Sequence, residues 1–282
     1  MKSFEAFMYA KYCGPSDETR KIACEDPEFA YRYALEIDCK PRGDTREAAC
    51  KKPKYACLYA KDVDKKPHEK TREAACKDSG YAYEYALHID KKPRDDTRNA
   101  ACKTIVFIFY YAKDIDMGPH KDTREAACKK PKHAYEYALI IDKKPHEITR
   151  EAACKLPKLA YAYAKDIDKE PRDDTREAAC KDPEYAYLYA RDIDQEPRDD
   201  TRKAVYKGSN IEYKKCFLMH IISEKFFKNM KYVTHGDLEY VFKYAQDVEK
   251  CFHQDTWKII KNTEYEEEYK NFCHKATKDK II

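Results

Sequence analysis

Residues 174–199 read DTREAACKDPEYAYLYARDIDQEPRD, and this 26-residue string decides the fold. The Thr-Arg pair near its start recurs eight times, from Thr19-Arg20 to Thr201-Arg202, always 26 residues after the previous copy. A tyrosine keeps the same period from Tyr33 to Tyr189. Self-similarity at a fixed period of about 20 to 50 residues is typical of stacked repeat arrays. The sequence therefore predicts a solenoid.

Each copy predicts two short helices joined by tight turns. Asp182 precedes a proline, which is the usual N-cap arrangement, so helix B is expected over residues 183–194. Asp174 with Glu177 three residues later has the pattern of a capping box, so helix A is expected over residues 175–181. A unit this small cannot bury its apolar stripe alone, and neighbouring units must complete the core.

The fold class predicted is all-α: an α-solenoid of two-helix, 26-residue repeats with divergent terminal repeats. We expect an N-terminal capping helix in residues 1–16, regular repeats in residues 17–206, and divergent repeats or a C-terminal cap in residues 207–282. The pattern decays after residue 206 without vanishing. Terminal repeats are the usual place for such capping units.

Composition narrows the class of protein. The chain has 282 residues, and 56 basic against 52 acidic residues leave a net charge of +4, so no strong overall field attracts nucleic acid or anionic lipid. The start lacks an apolar signal core, and the longest apolar run, residues 105–112, is about half of a membrane span. We expect a cytoplasmic protein with no membrane association.

Thirteen cysteines are present, and seven of them recur singly, 26 residues apart, from Cys24 to Cys180. Stacked helices lie about 8–10 Å apart, which exceeds the separation of about 7 Å that a disulfide bridges between Cα atoms. These cysteines are expected to be reduced, small core residues.

The strings DTREAAC (residues 174–180) and DPEYAYLYARDI (residues 182–193) resemble the short helical repeats of uncharacterised proteins from bacteriophages and other large DNA viruses. More distantly, they are similar to tetratricopeptide and Sel1-like α-solenoids. The resemblance covers residues 17–206 and implies a superhelical binding scaffold, with the cytoplasm of a host as the location if the protein is viral. The Trp and Gly signature positions of tetratricopeptides are absent, so no binding residue is transferred from them.

The arginine of each Thr-Arg pair is a candidate for function, because guanidinium groups repeated at one helical position can bind phosphate. The alternative is structural pairing, between repeats, with the aspartates that recur in every unit, such as Asp168 or Asp194. Further arginines lie in the loops that follow helix B, where acidic neighbours partly cancel their charge. The phosphate or nucleic-acid candidates are Arg46, Arg72, Arg124 and Arg176 on helix A and Arg42, Arg94, Arg172 and Arg198 in the loops.

The repeated tyrosines are assigned mainly to the core or to the seam between repeats, because their spacing lets each helix B interlock with the next. The unit around residues 105–111 differs, since IVFIFYY replaces the usual polar start of helix B. An apolar patch in the middle of an array indicates a partner or dimer interface; a locally rearranged, buried helix is the alternative. The partner-binding candidates are Ile105, Val106, Tyr110, Leu35, Leu87 and Leu139.

No catalytic residue, metal site or cofactor is predicted. The chain has no Gly-rich phosphate loop and no nucleophile elbow. The Cys-His pairs after residue 207, such as Cys216 with His220 and Cys273 with His274, lack the paired spacing of structural zinc motifs. The leading function is a non-enzymatic scaffold that binds another protein. The alternatives are nucleic-acid or nucleotide binding through Arg, Lys and Tyr at the repeat edges, and a structural homo-oligomer such as a homodimer.

Overall fold

A computed structural model of the chain describes residues 1–195, 198–207, 217, 238–239, 241–242, 245–246 and 254–278. These residues form α-helices and π-helical segments, and none of them lies in a strand. The fold is an all-α solenoid of two-helix repeats, as predicted. Its residues group into two compact units, residues 1–152 and residues 153–282.

Helix A of each repeat is short, and its bounds keep the 26-residue period. The A helices are Asp17–Ala23, Gly43–Ala49, Glu69–Ala75, Asp95–Ala101, Lys121–Ala127, Glu147–Ala153, Asp173–Ala179 and Asp199–Lys207. Each starts after a proline-containing loop.

Helix B follows after a turn of a few residues. The α-helical parts of the B helices are Pro27–Tyr33, Pro53–Leu58, Ser79–Tyr85, Ile105–Asp114, Pro131–Tyr137, Pro157–Tyr163 and Pro183–Tyr189. The predicted cap of helix B is confirmed where an aspartate is present: the Asp182 carboxylate accepts the N–H of Glu184 at 2.9 Å, and Asp26 and Asp78 act in the same way.

The prediction that Asp174 caps helix A is wrong. That helix begins at Asp173, and its N-cap is Arg172, whose side chain makes no capping hydrogen bond. Asp174 lies inside the first turn, where its carboxylate accepts the N–H of Thr175. The start of the helix is set by a tertiary contact instead, because the N–H of Arg172 donates to the hydroxyl of Tyr189 at 3.0 Å.

Most B helices end in a wider, π-helical turn, which the sequence analysis did not predict. These segments are Ala34–Asp38, Tyr59–Asp64, Ala86–Asp90, Ala138–Asp142, Ala164–Asp168 and Ala190–Asp194. In one of them the N–H of Lys91 donates to the carbonyl of Ala86, five residues earlier, at 2.9 Å. Lys91 itself is left-handed, with φ of 52°. This residue ends helix B and turns the chain toward the next helix A.

Alanine and tyrosine build the core between consecutive repeats. One cluster joins Ala34 of one B helix to Ala49 and Tyr59 of the following repeat, and all three are fully buried. A second joins Ala60 to Ala75 and Tyr85. Alanine carries little side-chain volume, so the helices approach closely and the tyrosine ring fills the space between them. The predicted sharing of the core between neighbours is confirmed within residues 1–152.

Helices also lie outside the regular series. Ser3–Cys13 buries Ala6, Phe7 and Ala10 against the first repeat. Gln254–Ile260 and Glu266–Lys278 lie in the second unit, where Ile259, Ile260 and Tyr269 are buried. Whether residues 207–282 are worn repeats stays a prediction, because many of them lie outside the described residues.

Candidate functional site

The repeated threonine and tyrosine meet at the start of helix A. The hydroxyl of Tyr85 lies 2.9 Å from that of Thr71, and it accepts the N–H of His68 at 2.9 Å. Both side chains are fully buried. The same geometry occurs in Thr45–Tyr59, Thr97–Tyr111, Thr123–Tyr137 and Thr175–Tyr189. The tyrosine hydroxyl binds both the threonine of helix A and the peptide that precedes it, so this contact holds helix B to helix A.

The arginine ladder is paired with the last aspartate of helix B. Arg72 donates to both carboxylate oxygens of Asp90 over distances of 2.7 to 3.1 Å. The equivalent pairs are Arg46–Asp64, Arg98–Asp116, Arg124–Asp142 and Arg176–Asp194. Both partners belong to the same repeat, whereas sequence analysis had placed the pairing between repeats. Contacts to the next repeat occur as well, as between Arg20 and Asp44 at 2.8 Å.

Pairing and burial set the ionisation of these groups. The hydrogen bonds to Asp90 raise the pKa of Arg72, and those to Asp64 raise the pKa of Arg46. Burial raises the pKa of Asp194, although its ion pair with Arg176 opposes this. A bidentate contact uses the paired N–H groups that a guanidinium would offer to phosphate. The helix A candidates Arg46, Arg72, Arg124 and Arg176 are therefore occupied by carboxylates.

The loop arginines lie directly before helix A. Their guanidinium groups also stand near acids: Arg42 near Asp38 at 3.1 Å, Arg94 near Asp96 at 3.3 Å, Arg172 near Asp174 at 3.6 Å and Arg198 near Asp194 at 3.7 Å. Histidines occupy the same position in other repeats, and the ring Nδ1 of His68 accepts the N–H of Lys70 at 3.2 Å. This loop edge therefore carries mixed charge and serves to start helix A.

The apolar candidates differ in exposure. Leu35, Val106, Tyr110 and Leu139 are exposed. Ile105 and Leu87 are partly buried, the first against the cluster of Ile108 and Ala112 and the second against that of Ala86 and Tyr111. The helix Ile105–Asp114 is thus not buried throughout; it keeps the place of helix B in its repeat but continues as an α-helix to Asp114, without the π-helical segment of the other repeats.

Three aromatic rings meet at the exposed part of that helix. The Tyr110 ring centroid lies 5.9 Å from that of Tyr83 and 6.3 Å from that of Phe107. Tyr83 and Phe107 lie 5.7 Å apart. Gly80 makes room for them, because a Cβ there would stand 3.2 Å from the Phe107 ring. Val106 and Tyr110 remain 49% and 48% exposed. We call Tyr83, Val106, Phe107 and Tyr110 the aromatic patch. Its rings pack on one another, and its exposed side chains are open to contact.

The repeated cysteines are half-buried thiols at the end of helix A, and none of the seven is in a disulfide: Cys24, Cys50, Cys76, Cys102, Cys128, Cys154 and Cys180. Burial raises the pKa of Cys50 and of Cys76 to about 11. They are less buried than the core residues that the sequence analysis expected.

A lysine follows most of these cysteines, and the sequence analysis did not select it. The lysines Lys51, Lys77, Lys103, Lys129, Lys155 and Lys181 are all exposed. The 26-residue period was the signal that could have found them. Between the helices Asp95–Ala101 and Lys121–Ala127 lies a groove of about 240 Å³, lined by Asn99, Cys102, Lys103, Asp122, Glu125 and Lys129.

In the described part of the chain, no three metal-ligating side chains converge. Cys273 and His274 belong to that part, whereas Cys216, His220, Cys251 and His253 lie outside it. Among the helices that the structure describes, none has the length and apolar composition needed to cross a membrane.

The fold and these contacts define a class: a helical-repeat protein in which the invariant residues join the helices. Comparison of the chain with protein-family models, with curated proteins and with solved structures finds no match.

Proposed function

We propose that the protein is a non-enzymatic scaffold that binds another protein through exposed apolar side chains of its B helices. The observation that carries this proposal is the aromatic patch, where Val106 and Tyr110 are half exposed on a helix whose rings already hold one another. Rigid aromatic side chains lose little entropy on binding and often dominate protein interfaces. Leu35 and Leu139 extend the apolar character of this face to other repeats.

The contacts that the invariant residues make with each other also support this function. The repeated Thr, Tyr, Arg and Asp side chains bind each other, so the groups left for a partner are those that vary between repeats. Repeat proteins commonly keep constant residues for stacking and vary the binding ones. The proposal assigns the protein no catalytic role. The raised pKa values of Cys50 and Cys76 support this, because they disfavour the reactive thiolate.

The resemblance to viral repeat proteins carries a finer proposal, which is that the protein is virus-encoded and engages a host or defence factor in the host cytoplasm. The free, half-buried cysteines suit a reducing compartment.

The test is site-specific crosslinking from position 110. A photoreactive phenylalanine analogue at Tyr110 should give a discrete crosslinked protein in lysate, and the double variant Val106→Glu with Tyr110→Lys should lose capture of that protein by at least about tenfold. Other repeats hold Glu184 and Arg32 at these positions, so the changes suit the helix.

The matched control is Met117→Lys, an exposed apolar residue at a position where other repeats have Lys91 or Lys143. It should leave capture unchanged. Sedimentation over a concentration series distinguishes the homo-oligomer, because a crosslink only to a second copy of the chain, with a mass that rises with concentration, contradicts a separate protein partner.

A further inference from the structure

The turns between helix A and helix B carry a strip of one charge sign. We call it the lysine strip, and it consists of Lys51, Lys52, Lys77, Lys103, Lys129 and Lys130. All six side chains belong to exposed residues, and within the described part of the chain no ion pair is formed by any of them. The strip covers four consecutive repeats of residues 1–152.

One acid, Asp78, stands at the turn positions of these four repeats, and its carboxylate already accepts hydrogen bonds. Asp78 accepts the N–H groups of Gly80 and Tyr81 at 2.9 and 3.1 Å, which caps its helix B. The opposite edge, where helix B leads into helix A, is different, because exposed acids such as Asp95 and Glu69 stand among its lysines. Within these four repeats Asp78 is the one acid at the turn positions themselves, and two further acids, Asp122 and Glu125, line the groove that Lys103 and Lys129 share.

Part of the strip has a simple structural explanation. Lys51, Lys77, Lys103 and Lys129 lie just after the end of helix A, where a cation interacts favourably with the negative end of the helix dipole. This effect explains one lysine in each repeat. It does not explain Lys52 and Lys130, each of which is the second lysine of a turn that holds two.

Lys52 and Lys130 stand at the N-cap of helix B, where local physics disfavours them. A cation there opposes the helix dipole, and neither lysine makes a capping hydrogen bond. Other repeats place Asp26 or Asp182 at the same position and gain that bond. Residues that break a local rule without a structural gain commonly mark functional sites.

The spacing of the strip fits a long, regular polyanion. Lys103 and Lys129 line the same groove, so lysines of consecutive repeats are neighbours. Packed helices lie about 8–10 Å apart, and four turns therefore span roughly 30 Å. The partner must carry negative charge evenly along this length.

The aromatic rings nearest the strip are not available for stacking bases. Tyr55 packs on Tyr31 and donates its hydroxyl to Glu28, while Phe107 packs on Tyr83. Single-stranded nucleic acid is usually bound by cations together with free aromatic faces. A duplex is bound through its phosphates alone. We propose that the lysine strip binds the phosphate backbone of double-stranded nucleic acid without reading its sequence, a function separate from the aromatic patch.

The experiment measures anisotropy of a labelled duplex DNA of about 30 base pairs over a salt series with the full chain. Each phosphate contact contributes about 0.9 to the slope of log K against log salt, so we expect a slope of about −3 or steeper. The variant Lys77→Gln, Lys103→Gln, Lys129→Gln should weaken binding about tenfold or more and make the slope shallower by about 2 to 3.

The matched control is Lys65→Gln, Lys91→Gln, Lys143→Gln. These lysines are exposed, recur at the same sequence position on the opposite edge, and occupy a place where Gln195 stands natively. Binding should change less than about twofold. Equal loss in both triple variants would show attraction by net charge alone and overturn the proposal.

A second pair of variants separates binding from folding. Lys52→Asp with Lys130→Asp installs the cap of the other repeats, so it should raise the melting temperature while weakening duplex binding, whereas Lys66→Asp with Lys144→Asp should do neither. Undiminished binding by the capped variant overturns the proposal. So does tighter binding of a single strand or of polyglutamate than of the duplex, or no duplex binding at low salt.

Discussion

Tyr85 combines an apolar and a polar role in one side chain. Its ring lies in the cluster with Ala75 and Ile89, and the Arg72 guanidinium stands 5.5 Å from the ring centroid. Its hydroxyl binds Thr71 and the peptide of His68. Burial raises the pKa of this tyrosine, so it stays a neutral hydrogen-bonding group. A tyrosine is required at this position because phenylalanine lacks the hydroxyl.

The cysteines provide a pH-dependent prediction at the same scale. Since the thiolate is the nucleophile and burial raises the pKa of Cys50 and Cys76 to about 11, only about one thiol in a thousand is ionised at pH 8. Mass spectrometry after iodoacetamide treatment at pH 8 should find the exposed Cys13 and Cys39 alkylated first. The labelling of the half-buried Cys50 and Cys76 should increase as the pH approaches 11; labelling of Cys50 as fast as Cys13 at pH 8 would contradict this.

Helix B starts where local sequence preferences place it, whereas its last aspartate makes a contact with helix A. Its start follows from an aspartate and a proline, as at Asp182 and Pro183. Its end is a π-helical turn closed by a left-handed residue, and a lysine stands at this residue in four repeats: Lys65, Lys91, Lys143 and Lys169. Left-handed backbone costs an ordinary residue roughly 1 kcal/mol. In these repeats the turn carries the last aspartate to the arginine of helix A, as Asp90 is carried to Arg72.

Relief of this backbone strain is testable. Lys91→Gly should stabilise the protein by about 0.5–1 kcal/mol, because glycine adopts a φ of 52° without steric cost. The adjacent, equally exposed Lys92→Gly should bring no gain. Denaturant unfolding of both variants measures the difference, and equal effects would show that the left-handed residue stores no strain.

The two compact units of the molecule differ in charge. Residues 1–152 hold 31 basic and 27 acidic residues, whereas residues 153–282 hold 25 of each. The aromatic patch and the lysine strip both lie in the first unit. Within that unit buried clusters join adjacent elements of the series, such as the consecutive repeats of Ala60 and Ala75. A structure of this kind transmits a defect mainly to its nearest neighbours.

Tyr85→Phe tests this locality. The change removes the acceptor of the part-buried His68 N–H and leaves the Thr71 hydroxyl with only its bond to the His68 carbonyl, so it should cost about 1–3 kcal/mol. Hydrogen exchange should rise most in residues 43–114 and decline with distance along the first unit. Tyr12→Phe, at an exposed ring, is the control and should change neither quantity. A uniform rise over residues 1–152 would indicate one cooperative unit instead.

Periodicity alone was enough to predict the all-α solenoid, the two helices of each repeat and the start of helix B, because these depend on spacing and on residues close in sequence. The start of helix A at Asp173 was not predictable, since the hydroxyl of Tyr189 holds the preceding peptide from 17 residues away. The role of the arginine ladder depended likewise on the path of the chain at the end of helix B, which brings Asp194 to Arg176. The exposure of Val106 and Tyr110, and the exposure of the lysine strip without ion pairs, required the tertiary structure, because burial and charge pairing are properties of neighbours in space.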